Sequence, residues 1–156
     1  MRVGITGHRG LSDVVEQQVR QLLHGTLQEL GDDLTGVSCI ADGPDAWFSE
    51  EVLAHGGRLE VVIPADGYRG SLPEEYHPLY DRLLGQAAEV HHTGMTESDS
   101  AAHMAGSEIL VDVSELLLAV WDGKPARGYG GTADVVAYAE RRGVPVRVLW
   151  PEGAER

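Results

Sequence analysis

Short apolar runs alternate along this 156-residue chain with longer stretches that repeat their apolar residues at helical spacing. The strand-like runs are 3–6, 36–41, 59–63, 89–92, 116–121 and 144–150. The helix-like stretches between them are 12–30, 45–54, 76–88, 98–113 and 132–142. Because strands that alternate with helices are typical of right-handed βαβ units, we predict an α/β fold, a Rossmann-like doubly wound, mostly parallel sheet of about six strands with helices on both faces.

Composition sets the class of protein. The length suits a single domain over 1–156. Twelve Lys and Arg stand against 25 Asp and Glu, a net charge of −13, which argues against an extended nucleic-acid surface but permits one small phosphate ligand. The opening residues lack a secretory signal, no apolar run is long enough to span a membrane, and Cys39 is the only cysteine. We therefore expect a cytoplasmic protein with no disulfide and no membrane association.

The first segment of chemical interest follows the first strand-like run. The strand end carries a hydroxyl, a flexible backbone, an imidazole and a guanidinium, which come from Thr6, Gly7, His8 and Arg9 in that order. Ligands of doubly wound sheets lie at the carboxyl ends of strands, and Arg9 could hold a phosphate or a carboxylate. The alternative is a surface turn in which Arg9 pairs with an acidic neighbour.

The second segment joins the next strand-like run to a helix. Ala41, Gly43 and Asp45 are predicted to contact the ligand, and Asp45 is also expected to cap the helix.

The third segment is a glycine-rich turn before the helix 132–142, and it is the strongest pointer to a ligand in the chain. Glycines before a helix N-terminus leave N–H groups free for an anion, and Thr132 is expected to cap the helix. The alternative is an ordinary tight connection. The predicted ligand contacts here are Gly128, Tyr129, Gly130, Gly131 and Thr132.

The fourth segment, 91–103, is rich in histidine. His91 and His92 are adjacent, so on a strand they point to opposite faces, and no helical His pair or Cys cluster supports them. We expect no metal site here and favour a loop that contacts the ligand. The polar stretch 65–75 is predicted to be a long, functional loop.

Taken together, these segments resemble the SLOG superfamily, which groups DprA proteins with the LOG-type phosphoribohydrolases. Residues 38–45 are similar to its Ser-Gly-x-Ala-x-Gly-x-Asp turn, with Cys39 where glycine is usual. Residues 130–132 and 143–146 are similar to its glycine-rich loop and the strand that follows, and 4–9 are similar to its first strand and turn. The resemblance implies a Rossmann-like fold, self-association and a nucleotide or nucleoside phosphate in the crevice.

Two departures separate this chain from the LOG enzymes, which split the N-glycosidic bond of nucleotides. Their loop reads Pro-Gly-Gly-x-Gly-Thr-x-x-Glu, whereas this chain lacks the leading proline and has Val135 at the acidic position. A valine cannot do the acid–base work of a carboxylate. If the protein is an enzyme, the candidate catalytic carboxylates are Asp134, Asp122 and Glu97.

Three functions are compatible with these features. The favoured one is binding of a nucleotide or nucleotide-derived small molecule, as in a sensor or regulatory domain, with no required cofactor. The alternatives are a LOG-like hydrolase of a nucleoside monophosphate and a structural or partner-binding domain. We also expect a homodimer or higher oligomer, because the helix 101–113 carries Met104, Ile109, Leu110 and Val113, which could pack against a second copy.

Overall fold

Six strands form one sheet in the computed structural model, which describes all residues from Met1 to Arg156. The strands are β1 (Arg2–Gly7), β2 (Thr35–Ser38), β3 (Arg58–Ile63), β4 (Glu89–His92), β5 (Leu116–Val120) and β6 (Val146–Val148). Their order in the sheet is β4-β3-β2-β1-β5-β6, and every neighbouring pair is parallel. The predicted Rossmann-like α/β fold is confirmed.

Helices cover both faces of this sheet. They are α1 (Asp13–Leu30), α2 (Pro44–Ala54), α3 (Tyr68–Ser71), α4 (His77–Gly85), α5 (Ser100–Asp112) and α6 (Thr132–Arg141). Helix α1 packs on α2, and α5 packs on α6. A Cβ atom at Gly4 would meet Leu110 of α5, whereas one at Gly7 would meet Pro44 of α2. The two helix pairs therefore lie on opposite faces of β1.

The ends of the elements follow local chemistry. The Ser12 hydroxyl accepts a hydrogen bond from the Val15 N–H at 3.3 Å and caps α1, which ends at Gly31 with a φ of 81°. Asp99 caps α5 by accepting from the Ala102 N–H at 2.9 Å. These are the expected cap residues, because a short polar side chain satisfies an N–H that has no partner within the helix.

Two segments differ from the sequence prediction. The strand predicted over 36–41 ends at Ser38, because Ile40 adopts a φ of 46° and its N–H donates to the Ser38 hydroxyl. The segment 65–75 is not an open loop, because it contains α3 and the start of a 3-10 turn, and it buries Tyr68 and Leu72 in the core.

The apolar residues of helix α5 pack inside the protein. Met104 and Leu110 are buried, and Ile109 and Val113 are partly buried against the same core. The residues on which the oligomer prediction depended are therefore already covered within one chain. None of the helices combines the length and the apolar composition that crossing a bilayer requires.

Candidate ligand-binding cleft

The strand order reverses between β1 and β5, and this places a crevice at their carboxyl ends. The two strands are paired with Gly7 opposite Val120, and the His8 N–H continues the ladder by donating to the Val120 carbonyl at 3.1 Å. In open parallel sheets, ligands bind at such a reversal, because the helices that follow the two strands leave on opposite faces.

Two cavities open at this point. The first, which we call the inner cleft, has a cavity volume of about 120 Å³. Its lining residues are Ile5, Thr6, Gly7, Arg9, Cys39, Ala41, Asp45, Pro64, Tyr68, Leu72, His103 and Ser107. The second, which we call the glycine cleft, has a cavity volume of about 260 Å³. It is lined by Thr6, Gly7, His8, Arg9, Ala126, Arg127, Gly128, Gly130, Gly131, Thr132 and Arg156. Because Thr6, Gly7 and Arg9 line both, the two clefts are halves of one groove across the end of β1.

Asp45 is the carboxylate of the inner cleft. The sequence predicted that Asp45 caps α2, and this is wrong. Gly43 occupies the cap position with a φ of 97°, and Pro44 begins the helix. Asp45 Oδ2 instead accepts from the Ala41 N–H at 3.2 Å and closes the turn after β2. The pKa of Asp45 is raised to about 7, mainly by burial and also by the charge of Asp42. The Ala41 N–H and Arg9 act in the opposite direction and lower it.

Two aromatic residues, one from each of the segments 65–75 and 91–103, line the inner cleft with Asp45. Tyr68 is buried, and burial raises the pKa of its hydroxyl well above the usual value. The His103 ring lies edge-on to Tyr68 at 5.7 Å, and its Nε2 lies 2.8 Å from the Ser98 hydroxyl. Burial, with the charge of Arg9, lowers the pKa of His103. The sequence predicted that both segments are functional, but no pattern singled out Tyr68 or His103 within them.

The glycine cleft is shaped by the turn before α6. Gly130 has a φ of 86°, and its N–H donates to the Asp134 carboxylate at 2.9 Å. Gly131 is the cap residue of α6, and the Thr132 side chain makes no capping bond, so the predicted cap at Thr132 is wrong. Tyr129 is exposed and lies outside both clefts.

His8 connects the end of β1 to that of β5. The Arg156 guanidinium lies 3.0 Å from His8 Nδ1, and Asp122 Oδ1 lies 3.2 Å from His8 Nε2. Because a guanidinium can only donate, Nδ1 accepts and the ring is neutral, while Nε2 lies 3.2 Å from both the Asp122 carboxylate and the Asp122 N–H. Burial lowers the pKa of His8 against the opposing effect of Asp122, which fits this neutral form. Burial alone would raise the pKa of Asp122, but the Lys124 N–H, His8 and Arg156 together lower it.

The structure places none of the three candidate catalytic carboxylates in the lining of the groove. Asp134 holds the Gly130 N–H, and Asp122 is occupied by Lys124, His8 and Arg156. Glu97 is exposed and lies outside both clefts.

Two other predicted site residues have partners within the chain. Arg9 pairs with Asp42 at 2.6 Å, the alternative that the sequence left open, although it still borders both clefts. His91 pairs with Glu60 at 2.9 Å and lines neither cleft.

Similarity to known proteins is structural. No family model and no curated protein matches the sequence. The fold matches DprA from Streptococcus pneumoniae (TM-score 0.68, 19% identity, 94% of this chain and 49% of that one). It also matches DprA from Helicobacter pylori (TM-score 0.70, 17% identity, 99% and 68%). A third match is the molybdenum cofactor binding protein from Rippkaea orientalis (TM-score 0.62, 16% identity, 97% and 77%). The chain thus spans about half the length of the S. pneumoniae protein.

These neighbours confirm the predicted Rossmann-like fold, which this chain shares with them, and they correct two sequence expectations. The R. orientalis protein binds the molybdenum cofactor, which overturns the expectation that no cofactor is required. The H. pylori protein binds single-stranded DNA, which overturns the exclusion of a nucleic-acid surface. That exclusion relied on the net charge of the whole chain, whereas binding depends on the local potential in a groove.

Proposed function

We propose that the protein binds a nucleotide-type small molecule across the groove, with a phosphate in the glycine cleft and a ring in the inner cleft. The observation that carries this proposal is the pair of chemically different cavities that join over Thr6, Gly7 and Arg9. A nucleotide has the same division into an anionic end and a flat, largely apolar end.

The glycine cleft has the chemistry of a phosphate site. The first N–H groups of a helix lack partners within the helix and favour an anion. Thr132 at the start of α6 lines this cleft with such an N–H, whereas the Gly131 N–H donates to the Gly128 carbonyl. Of the cations that line it, Arg9 is paired with Asp42 and Arg156 with Asp122. Arg127 is exposed and forms no ion pair, so it is the cation most available to a ligand.

The inner cleft suits a ring with polar edges. Apolar and aromatic walls with few polar groups are typical of small-molecule sites. Tyr68 and Leu72 supply such walls here. Asp45 Oδ2 is used by the Ala41 N–H, and Oδ1 makes no hydrogen bond within the protein. Asp45 can therefore accept a hydrogen bond from a ring amino or imino group through Oδ1.

The structural neighbours support a ligand of this kind. Single-stranded DNA, which the H. pylori protein binds, is a polymer of nucleotides, and the R. orientalis protein holds a cofactor on the same fold. Hydrolysis of an N-glycosidic bond and a purely structural role are alternative outcomes of the test below.

The test is a thermal-shift panel followed by calorimetry. The ligands are the four common nucleoside monophosphates, inorganic phosphate and a short thymidine oligonucleotide. We expect at least one monophosphate to stabilise the protein, since a ligand at 100 times its dissociation constant contributes about 2.7 kcal/mol. Arg127→Ala should weaken binding of that monophosphate about tenfold, because it removes one charge-assisted hydrogen bond.

Arg58→Ala is the matched control, because Arg58 is also exposed and unpaired but lies at the start of β3, away from the groove. It should leave affinity unchanged. Stabilisation by no nucleotide and no phosphate would sink the proposal and favour a structural role. Stabilisation by the oligonucleotide alone would replace the small molecule by nucleic acid. Release of free base from a bound monophosphate would establish the hydrolase.

A further inference from the structure

Two histidines and a glutamate meet where α1 packs against the end of α2, away from the groove. His24 Nδ1 lies 3.2 Å from Glu51 Oε2, and His55 Nδ1 lies 3.8 Å from the same oxygen. One ligand atom from each residue lies within 4.8 Å of the other two. The three residues come from two helices that pack on each other, so the arrangement rests on the packing of rigid elements.

The two nitrogen–oxygen separations fit a tetrahedral metal ion. Zinc binds imidazole nitrogen and carboxylate oxygen at about 2.0–2.2 Å, so neighbouring ligand atoms in a tetrahedral site are about 3.3–3.5 Å apart. The observed 3.2 and 3.8 Å bracket this value. Imidazole and carboxylate ligands together suit Zn²⁺ and related divalent ions. From this geometry we propose that His24, Glu51 and His55 bind one divalent transition-metal ion of the zinc type.

The electrostatic surroundings favour the same occupant. Glu51 has no Lys or Arg partner, and its carboxylate faces only the two imidazoles. His55 Nδ1 also lies 3.2 Å from the Glu51 carbonyl oxygen, so metal binding through this atom replaces one hydrogen bond from the side chain to the backbone. A cation between the three residues would be held by the Glu51 carboxylate and the two imidazole rings.

A second cluster of similar composition shows why the first is different. Glu60, Glu89 and His91 also converge, but the Glu60 carboxylate is bonded to the Arg2 guanidinium. That oxygen already serves a cation, and a metal ion there would lie beside a fixed positive charge. This second cluster is an ion-pair network, and it provides a control for the first.

The site is open and separate from the groove. The His24 side chain is 53% exposed, whereas those of Glu51 and His55 are 23% and 21% exposed, so solvent can reach the ion. Three protein ligands leave one tetrahedral position for water or for a group from another molecule. Asp45 and His55 are ten residues apart along α2, or about 15 Å, so this site does not depend on the proposed nucleotide site.

The experiment is a Zn²⁺ titration of the untagged protein against a chromogenic chelator, repeated with Co²⁺, whose visible spectrum reports coordination number. We expect one equivalent of Zn²⁺ and a four-coordinate Co²⁺ spectrum. His24→Ala and His55→Ala should each weaken binding at least about tenfold, while His91→Ala should leave it unchanged. Affinity should fall as the solution is made acidic, because protonated imidazole cannot bind a metal.

Circular dichroism and thermal melting confirm that the variants are folded, and the half-exposed His24 makes His24→Ala the variant that disturbs the fold least. The proposal is overturned if wild-type protein binds only several weak equivalents that His24→Ala does not change. It is overturned equally if His91→Ala costs as much affinity as His24→Ala, or if Co²⁺ remains six-coordinate.

Discussion

Asp45 shows how much one residue's role can depend on its neighbours. An acid just before a helix-like stretch is typical of a helix cap, yet Gly43 and Pro44 begin α2 and leave the carboxylate free to turn back toward Ala41. There it is enclosed at the inner cleft, and its pKa rises from 3.8 to about 7, mainly because burial disfavours the charge. The folded protein therefore carries a carboxyl group that titrates near neutral pH.

This raised pKa predicts a pH-dependent stability difference for Asp45→Asn. Between pH 3.8 and about 7 the folded state holds a proton that the unfolded state has lost, so wild-type stability falls as pH rises through this window. Asparagine avoids the charge and keeps an acceptor for the Ala41 N–H. The variant should match wild type near pH 4 and exceed it above pH 8, by up to about 4 kcal/mol.

Urea unfolding of both proteins at pH 4, 6 and 8 measures this difference. Asp32→Asn, at an exposed position, is the control and should show no such rise. A gain for Asp45→Asn that is the same at all three pH values would contradict the assigned titration.

At the scale of elements, Gly7 decides how closely β1, β5 and the start of α2 approach each other. A Cβ atom built at Gly7 would lie 2.8 Å from the Cβ of Pro44 and 2.9 Å from that of Val120. The sequence analysis gave Gly7 the role of a flexible backbone at the strand end, but Gly7 belongs to β1, has no positive φ and is required by packing on both sides. The crevice between β1 and β5 depends on this close approach.

Gly7→Ala should therefore destabilise the protein by about 1–3 kcal/mol, the usual cost of overpacking. Gly25→Ala is the matched control, because Gly25 lies within α1 and its added methyl group would meet nothing within 4 Å. That change should stabilise by about 0.5–1 kcal/mol, since alanine favours a helix. Denaturant unfolding measures both, and equal effects of the two substitutions would refute the packing role of Gly7.

For the whole molecule, charge is the dominant global feature. The chain has 25 acidic against 12 basic residues, so most carboxylates cannot have a basic partner. The pairs that do form are mostly at the surface, where each contributes about 0–1 kcal/mol. Net repulsion among the remaining carboxylates should then outweigh the surface ion pairs at low salt.

Added salt should therefore stabilise this protein. Raising NaCl from about 0.01 M to 0.5 M shortens the screening length from about 30 Å to less than 8 Å. We expect the melting temperature to rise by about 2–4 °C, which corresponds to about 1 kcal/mol for a chain of this size. KCl at the same ionic strength should raise the melting temperature by a similar amount. A fall in the melting temperature would mean that ion pairs dominate.

The sequence by itself determined the order of the elements and most of the strand ends, because these depend on periodicity and caps within a few residues. The alternation of elements predicted the sheet, the apolar run of β5 marked a buried strand, and Ser12 and Gly31 marked the ends of α1. From the strand ends, the sequence also located Thr6–Arg9 and the glycine turn at the groove.

Only the tertiary structure decided which side chains meet. The inner cleft brings together Asp45, Tyr68 and His103 from three separate segments. His8 contacts Asp122 and Arg156, which lie more than 100 residues away in the sequence. The same holds for His24 beside Glu51 and His55. Such contacts depend on how helices pack and how strands are ordered, which local patterns do not encode. The raised pKa of Asp45 has this origin too, because burial is a property of the packed fold.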